Sequence, residues 1–310
     1  MSVYSVSRIK QFVDCLVNEA VRPLITQCES IETVESWFED EASRKRYRRE
    51  LVFMVLRNLL RHGNLVEGYA GSNNMPPQLW ADALQKVAEL CASGVLPELA
   101  YPQSADWVLP WMYASIFVLE QYAYGDVCLR EGDVFLDCGA CCGETSIWAV
   151  YRGAGRAYAF EPNPDASPFL VANAARFGQG RITRVPFGVG AVSARMGMMR
   201  KETNNIGSAQ LVPAEEGANT VPIVALDDWC AENSVKPDFL KMDIEGAEPD
   251  AIRGAAKVIT AYRPKLAICL YHRLSDMWTI PTLLKRLVPE YRFWCRKNSP
   301  TVEFVLYASV

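Results

Sequence analysis

Two acids, Asp137 and Glu161, each end a short apolar run, and the first of them opens the glycine-bearing turn Asp137-Cys138-Gly139-Ala140-Cys141-Cys142-Gly143. Glycine lets a backbone turn sharply and come close to a ligand. In open α/β sheets the first strand-to-helix turn is where nucleotides bind, and an acid ending the second strand accepts hydrogen bonds from both ribose hydroxyls. Glu161, in Ala157-Tyr158-Ala159-Phe160-Glu161-Pro162-Asn163-Pro164, is placed for that role. The alternative is that it caps the helix that follows. No Gly-Lys-Ser/Thr follows the turn, which excludes a P-loop.

A second concentration of charge lies in Lys241-Met242-Asp243-Ile244-Glu245-Gly246-Ala247-Glu248. On an extended chain Lys241, Asp243 and Glu245 point to one side, and the carboxyl edge of a fourth strand is a topological switch point where ligands bind. Lys241 reads first as a charge that neutralises neighbouring acids, and Glu248 as a first-turn acid complementing a helix dipole. The chain has two histidines. His62, in Arg61-His62-Gly63, reads as a helix-end cation or cap. His272 follows the apolar run Lys265 to Tyr271 and reaches the same sheet edge as Asp243. An imidazole there suits removal of a hydroxyl proton, with Asp243 orienting base or acceptor, and no metal is required. The alternative is a histidine that only bonds a loop carbonyl.

Weaker signals are read as structure. Cys138, Cys141 and Cys142 have a metal-like spacing but no second pair and no nearby histidine, so a zinc site is not expected. Tyr271 and Trp278 are divided between an acceptor wall and core. The basic run Arg44 to Arg49 follows Glu39-Asp40-Glu41, and pairs such as Glu41 with Lys45 make it a solvated helix face.

The elements that must position these residues follow from hydrophobic period. Up to about Asp126 the apolar residues recur at helical spacing, as at Phe12, Cys15 and Leu16 and at Leu51, Val55, Leu56, Leu59 and Leu60, with breaks at Gly68 to Pro77 and Pro97 to Pro102. From Val134 the pattern becomes short strand-like runs separated by helix-length segments: Val134–Leu136, Ala157–Phe160, Ile182–Val185, Phe239–Met242 and Leu266–Leu270. That alternation predicts a doubly wound α/β fold with a five-stranded parallel sheet. Tyr291–Arg296 and Val302–Ala308 are joined by a link short enough only for an antiparallel hairpin. A parallel sheet closed by such a hairpin is the arrangement of methyltransferases rather than of dehydrogenases. The expected division is a mainly helical part, residues 1–130, serving as a substrate cap or interaction unit, and a cofactor-binding part, residues 131–310.

Composition sets limits. Half of the 310 residues are hydrophobic and 22% are charged, as in globular proteins. The net charge of −4 offers no field for a polyanion, so nucleic acid is not an expected partner. No apolar run has the length of a signal peptide or a membrane span, which makes the cytoplasm the expected address. Ten cysteines in such a chain are expected to be reduced. Oligomeric state is not set by the sequence.

Taken in order, Asp137-x-Gly139-Ala140-x-x-Gly143, Phe160-Glu161-Pro162-Asn163-Pro164, Leu226-Asp227-Asp228, Lys241-Met242-Asp243-Ile244-Glu245-Gly246-Ala247-Glu248 and Tyr271-His272 resemble FkbM-type methyltransferases over roughly residues 122 to 310. Glu39 to Arg49 looks like an upstream element of some members. The resemblance implies a class I, Rossmann-like methyltransferase sheet, S-adenosyl-L-methionine as cofactor, and commonly O-methylation of a hydroxyl on a sugar, glycan, polyketide or other small acceptor. It implies Asp137, Gly139, Ala140 and Gly143 near the methionine part, the acid at the strand end contacting the ammonium directly or through water. Glu161 and Asn163 fall at the ribose, and Asp243 between cofactor and acceptor, with His272 as base. Cys141 departs from the family, which usually places Asn there. Two rival readings are a nicotinamide-dependent oxidoreductase, which the hairpin disfavours, and a non-catalytic module that keeps the pocket for partner contacts.

Overall fold

The structure, a computed structural model, describes residues 22–62, 77–103, 108–200, 206–214, 220–298 and 303–310. The expected helical spacing at Phe12 to Leu16, and most of the break from Gly68 to Pro77, lie outside the described residues, as does the middle of the terminal link.

Helices α1 (Arg22–Thr26), α2 (Cys28–Ser36), α3 (Glu41–His62), α4 (Pro77–Ala92) and α5 (Leu109–Met112) precede the sheet, and a π-helical segment, Tyr113–Val118, continues α5. The sheet-forming part then runs β1 (Val134–Cys138), α6 (Glu144–Tyr151), β2 (Arg156–Phe160), α7 (Ser167–Phe177), β3 (Ile182–Val185), β4 (Gly188–Val189), β5 (Ala194–Arg200), β6 (Ala209–Val212) and β7 (Thr220–Val224). It continues through α8 (Leu226–Asn233), β8 (Phe239–Met242), α9 (Glu248–Gly254), α10 (Ala256–Tyr262), β9 (Lys265–Cys269), α11 (Asp276–Leu287), β10 (Arg292–Arg296) and β11 (Val305–Ser309).

Seven strands form the main sheet in the order β10-β11-β9-β8-β1-β2-β3. The five expected parallel strands are present, and the terminal hairpin is antiparallel, with β11 inserted between β9 and β10. The central strands are buried on both faces because helices cover both: β8 is buried at all four residues and β1 at four of five. The order reverses between β1 and β8, and this switch point places Asp137 opposite Lys241 and Cys138 opposite Met242.

A second sheet of four strands, β4-β7-β5-β6, was not expected. Its longest strand reads Ala-Arg-Met-Gly-Met-Met-Arg, with no β-branched or aromatic residue to announce a strand.

The helices ahead of β1 share their core with the sheet. Val34, Phe38, Tyr47 and Met54 join the cluster that contains Leu240, Leu266 and Phe293, and the Tyr47 hydroxyl donates to the Met277 carbonyl at 3.0 Å. Part of the basic run is therefore anchored: Tyr47 is buried, while Arg44 donates to the Phe38 carbonyl at 2.9 Å and lies 3.7 Å from Glu41. No helix among the described residues is long and apolar enough to cross a membrane. The nine described cysteines are free thiols.

Candidate active site

The glycine turn is built by backbone geometry. Gly139 and Gly143 have φ of +86° and +91°, and a Cβ on Gly139 would lie 1.9 Å from the Asp243 carbonyl oxygen. Only glycine allows the turn after β1 to pass that close to the end of β8. The Gly139 and Ala140 N–H groups both donate to the Phe160 carbonyl, at 3.0 and 3.1 Å, which fixes the turn against β2. Gly143 precedes α6 and lies against Leu170. Cys141 adopts φ +47°, a left-handed conformation that Asn tolerates better than most residues.

A cleft opens at the carboxyl edge of β1, β2 and β8. Gly139, Cys141 and Glu161 line one part, and Asp243, Ile244 and Glu245 another, with Phe187, Val189, Met198, Ile206 and Leu211 as apolar walls. The unexpected sheet supplies Met198 and Leu211, so the sequence reading missed one side of the cleft.

Three expected site residues therefore line the cleft: Gly139, Glu161 and Asp243. Asp137, Ala140, Gly143 and Asn163 stand behind it. Asp137 is fully buried, with Oδ1 2.9 Å from Lys241 Nζ and Oδ2 accepting from the Ser146 hydroxyl at 2.7 Å. Lys241 Nζ also donates to the Gly139 carbonyl at 2.7 Å. Burial works against the lysine's charge, but Asp137 and Asp243 outweigh it and raise its pKa, which is the neutralising role. Asn163 spans to the second sheet's side, its Nδ2 donating to the Ile206 carbonyl at 3.2 Å.

Glu161 accepts from the N–H of Cys141 at 2.8 Å and from that of Asn163 at 2.7 Å. Its carboxylate joins the turn after β1 to the end of β2 while facing the cleft. Burial pushes its pKa up to about 7 against the lowering effect of those two N–H groups.

Asp243 is held from both sides. The Tyr122 hydroxyl donates to Oδ2 at 3.0 Å and the Tyr271 hydroxyl to Oδ1 at 2.8 Å. Burial opposes its ionisation, but His272, Lys241 and these hydroxyls together hold its pKa below the ordinary value. His272 Nε2 lies 3.4 Å from Asp243 Oδ1 and 3.7 Å from Glu245 Oε1, and Nδ1 lies 2.9 Å from Glu248 Oε1. Burial favours the neutral imidazole, yet the carboxylates of Glu248, Glu245 and Asp243 prevail and raise its pKa well above the usual value.

Tyr122, Ser146 and the His272–Glu248 contact were not anticipated. Tyr122 lies far from the motifs in sequence, and only the sheet's packing brings it to Asp243. Tyr271 meets Asp243 through its hydroxyl, whereas Trp278 packs against the core.

Residues 137–296, just over half of the chain, match the FkbM methyltransferase domain. The hexuronic acid methyltransferase AglP of Haloferax volcanii is 25% identical over 131 residues, covering 42% of this chain and 53% of AglP. The chain thus spans about half the length of the curated relative it matches. The crystal structure of an FkbM methyltransferase from Methylobacillus flagellatus KT superposes with a TM-score of 0.55 at 18% identity, covering 94% of this chain and 62% of that one. The glycine turn, the second-strand acid and the acidic turn after β8 all fall inside the matched residues or at their edge, and the chain belongs to the FkbM methyltransferase family.

Proposed function

We propose that the protein is an S-adenosyl-L-methionine-dependent O-methyltransferase acting on a hydroxyl of a sugar-type acceptor. The observation that carries the reading is one cleft in which a second-strand carboxylate, Glu161, and a switch-point carboxylate, Asp243, face the same space from either side of Gly139. The cleft fits the cofactor's chemistry: Glu161 offers a desolvated carboxylate for ribose hydroxyls, and Asp243 and Glu245 offer negative charge toward a sulfonium. Family membership supports the reaction, and the hexuronic acid methyltransferase supports a sugar acceptor.

When bound, the cofactor supplies a methyl group on a sulfonium leaving group, so the protein's task is alignment and proton removal. Glu161 accepts the ribose hydroxyls. Asp137 acts at one remove, because Lys241 and Ser146 occupy its oxygens and Lys241 passes the constraint to the Gly139 carbonyl. Asp243, fixed by Tyr122 and Tyr271, positions the acceptor. His272 takes the hydroxyl proton in its neutral form, which the surrounding carboxylates disfavour. The helical part, residues 1–130, contributes acceptor contacts, and the protein works in the cytoplasm.

The test is calorimetry with S-adenosylhomocysteine, followed by transfer from labelled cofactor to a panel of uronate and neutral sugars. Binding that Glu161→Ala greatly weakens is expected; unchanged affinity in that variant overturns the cofactor assignment.

A further inference from the structure

Asp243 at the end of β8, Glu248 at the start of α9 and His272 just after β9 converge, each offering one ligand atom, with those atoms all within 4.8 Å of one another. We propose that these three residues form a binding site for a divalent cation of the Mn²⁺ or Mg²⁺ class.

The arrangement gathers buried polar atoms that are in ion-pair contact but lack well-directed hydrogen bonds. The His272 side chain is 4% exposed and that of Glu248 fully buried, yet neither ring nitrogen of His272, nor Glu248 Oε2, has a hydrogen-bond partner. The 2.9 Å approach of Nδ1 to Glu248 Oε1 is an ion-pair contact whose direction is poor for a hydrogen bond. Buried polar atoms without directed hydrogen bonds leave coordination capacity open, which a further partner can use.

A cation meets these atoms with little movement. Ligand distances of about 2.1–2.3 Å place opposite ligands at most about 4.5 Å apart, so the cluster has only to tighten by a few tenths of an ångström. The supporting bonds of a metal site are in place. Tyr122 and Tyr271 orient the Asp243 carboxylate and leave lone pairs over, while the Ile244 N–H donates to Glu248 Oε1 at 2.8 Å. One imidazole with two carboxylates and no thiolate suits Mn²⁺ or Mg²⁺, with Mn²⁺ favoured by the nitrogen.

Asp243 also lines the cleft, so the ion would stand beside the acceptor. The binding proposal stands on these residues alone; its use in methyl transfer rests on the function proposed above. With the ion bound, His272 is a ligand and no longer the base.

The experiment is Mn²⁺ titration of the full chain after chelator treatment, followed by calorimetry and electron paramagnetic resonance, with S-adenosylhomocysteine binding read in the same samples. One Mn²⁺ per chain is expected, displaced by Mg²⁺ and showing nitrogen hyperfine coupling from the imidazole. Glu248→Gln and His272→Gln should each weaken it at least about 10- to 100-fold while S-adenosylhomocysteine still binds. Absence of saturable Mn²⁺ binding below about 1 mM overturns the proposal. So does binding without nitrogen coupling, and the cluster is then an imidazolium held by carboxylates. The spectrum of the unsubstituted chain decides this even where a variant fails to fold. Failure of S-adenosylhomocysteine to bind the unsubstituted chain would refute the cofactor reading and leave the ion result standing.

Discussion

Lys241 and Asp137 lie opposite one another on adjacent parallel strands, fully out of solvent, with Nζ 2.9 Å from Oδ1. The pair sits directly behind the glycine turn, and the lysine's second bond, to the Gly139 carbonyl, makes that turn depend on it. Lys241→Met leaves a buried carboxylate with Ser146 as its remaining partner and is expected to cost about 3–5 kcal/mol in chemical denaturation. The double substitution Lys241→Met with Asp137→Leu should recover part of that loss. A single variant as stable as the parent would show that the pair does not hold the turn.

Gly139→Ala tests the contact between the ends of β1 and β8. The added methyl group meets the Asp243 carbonyl oxygen and the residue must keep φ +86°, so the backbone has to move. The expected result is loss of S-adenosylhomocysteine binding together with destabilisation beyond the ~1 kcal/mol of an ordinary Gly-to-Ala strain. Retained affinity in a stable variant would contradict the close approach.

Cofactor affinity should depend on pH through Glu161. Ribose hydroxyls donate to an ionised carboxylate, and in the free protein this group holds its proton up to about pH 7. Affinity for S-adenosylhomocysteine is therefore expected to rise with pH by up to about tenfold per unit and to level off above neutrality. Calorimetry of Glu161→Gln should give a weaker, flatter profile; an identical slope in the variant would assign the titration to another group.

The same shift has a stability consequence of determinate sign. Glu161 and Glu144 both have folded pKa values of about 7, pushed up by burial from an ordinary 4.5. The folded chain binds these protons more tightly than the unfolded one, so their contribution is greatest in acid and falls as pH rises from about 4.5 through about 7. Thermal melts of the ligand-free protein should decline across that window, less steeply in Glu161→Gln.

Turnover offers a check on His272. The surrounding carboxylates raise its pKa and favour the protonated ring, so without divalent ions turnover should increase with pH as the ring loses its proton. His272→Ala is expected to lose about 100- to 10,000-fold with cofactor affinity nearly unchanged. A flat profile in the unsubstituted enzyme would remove the histidine from the proton's path.

Much of this site was legible because its chemistry is local in sequence. Gly139, Glu161 and Asp243 each end a strand whose apolar run is plain, and the switch point follows from strand alternation. The terminal hairpin was legible through a link too short for anything else. Most of what escaped had no local signature. The longest strand of the second sheet is made of Ala, Met, Arg and Gly, whose strand preference comes from packing. The division of labour between Asp137 and Lys241 depends on register between strands a hundred residues apart, and the surplus of carboxylates around His272 appears only when α9 and β9 are brought together.

Tyr122 carries one further consequence. Its hydroxyl holds Asp243 from a segment ahead of β1, and Tyr47 and Met54 complete the core under the same sheet. A chimaera that grafts the region before residue 130 from one family member onto the sheet of another must therefore preserve both the buried seam and the tyrosine's reach. Acceptor preference in this family should then be inherited with the pair of regions as a unit, and exchanges made at that boundary should fail more often by loss of folding than by change of substrate.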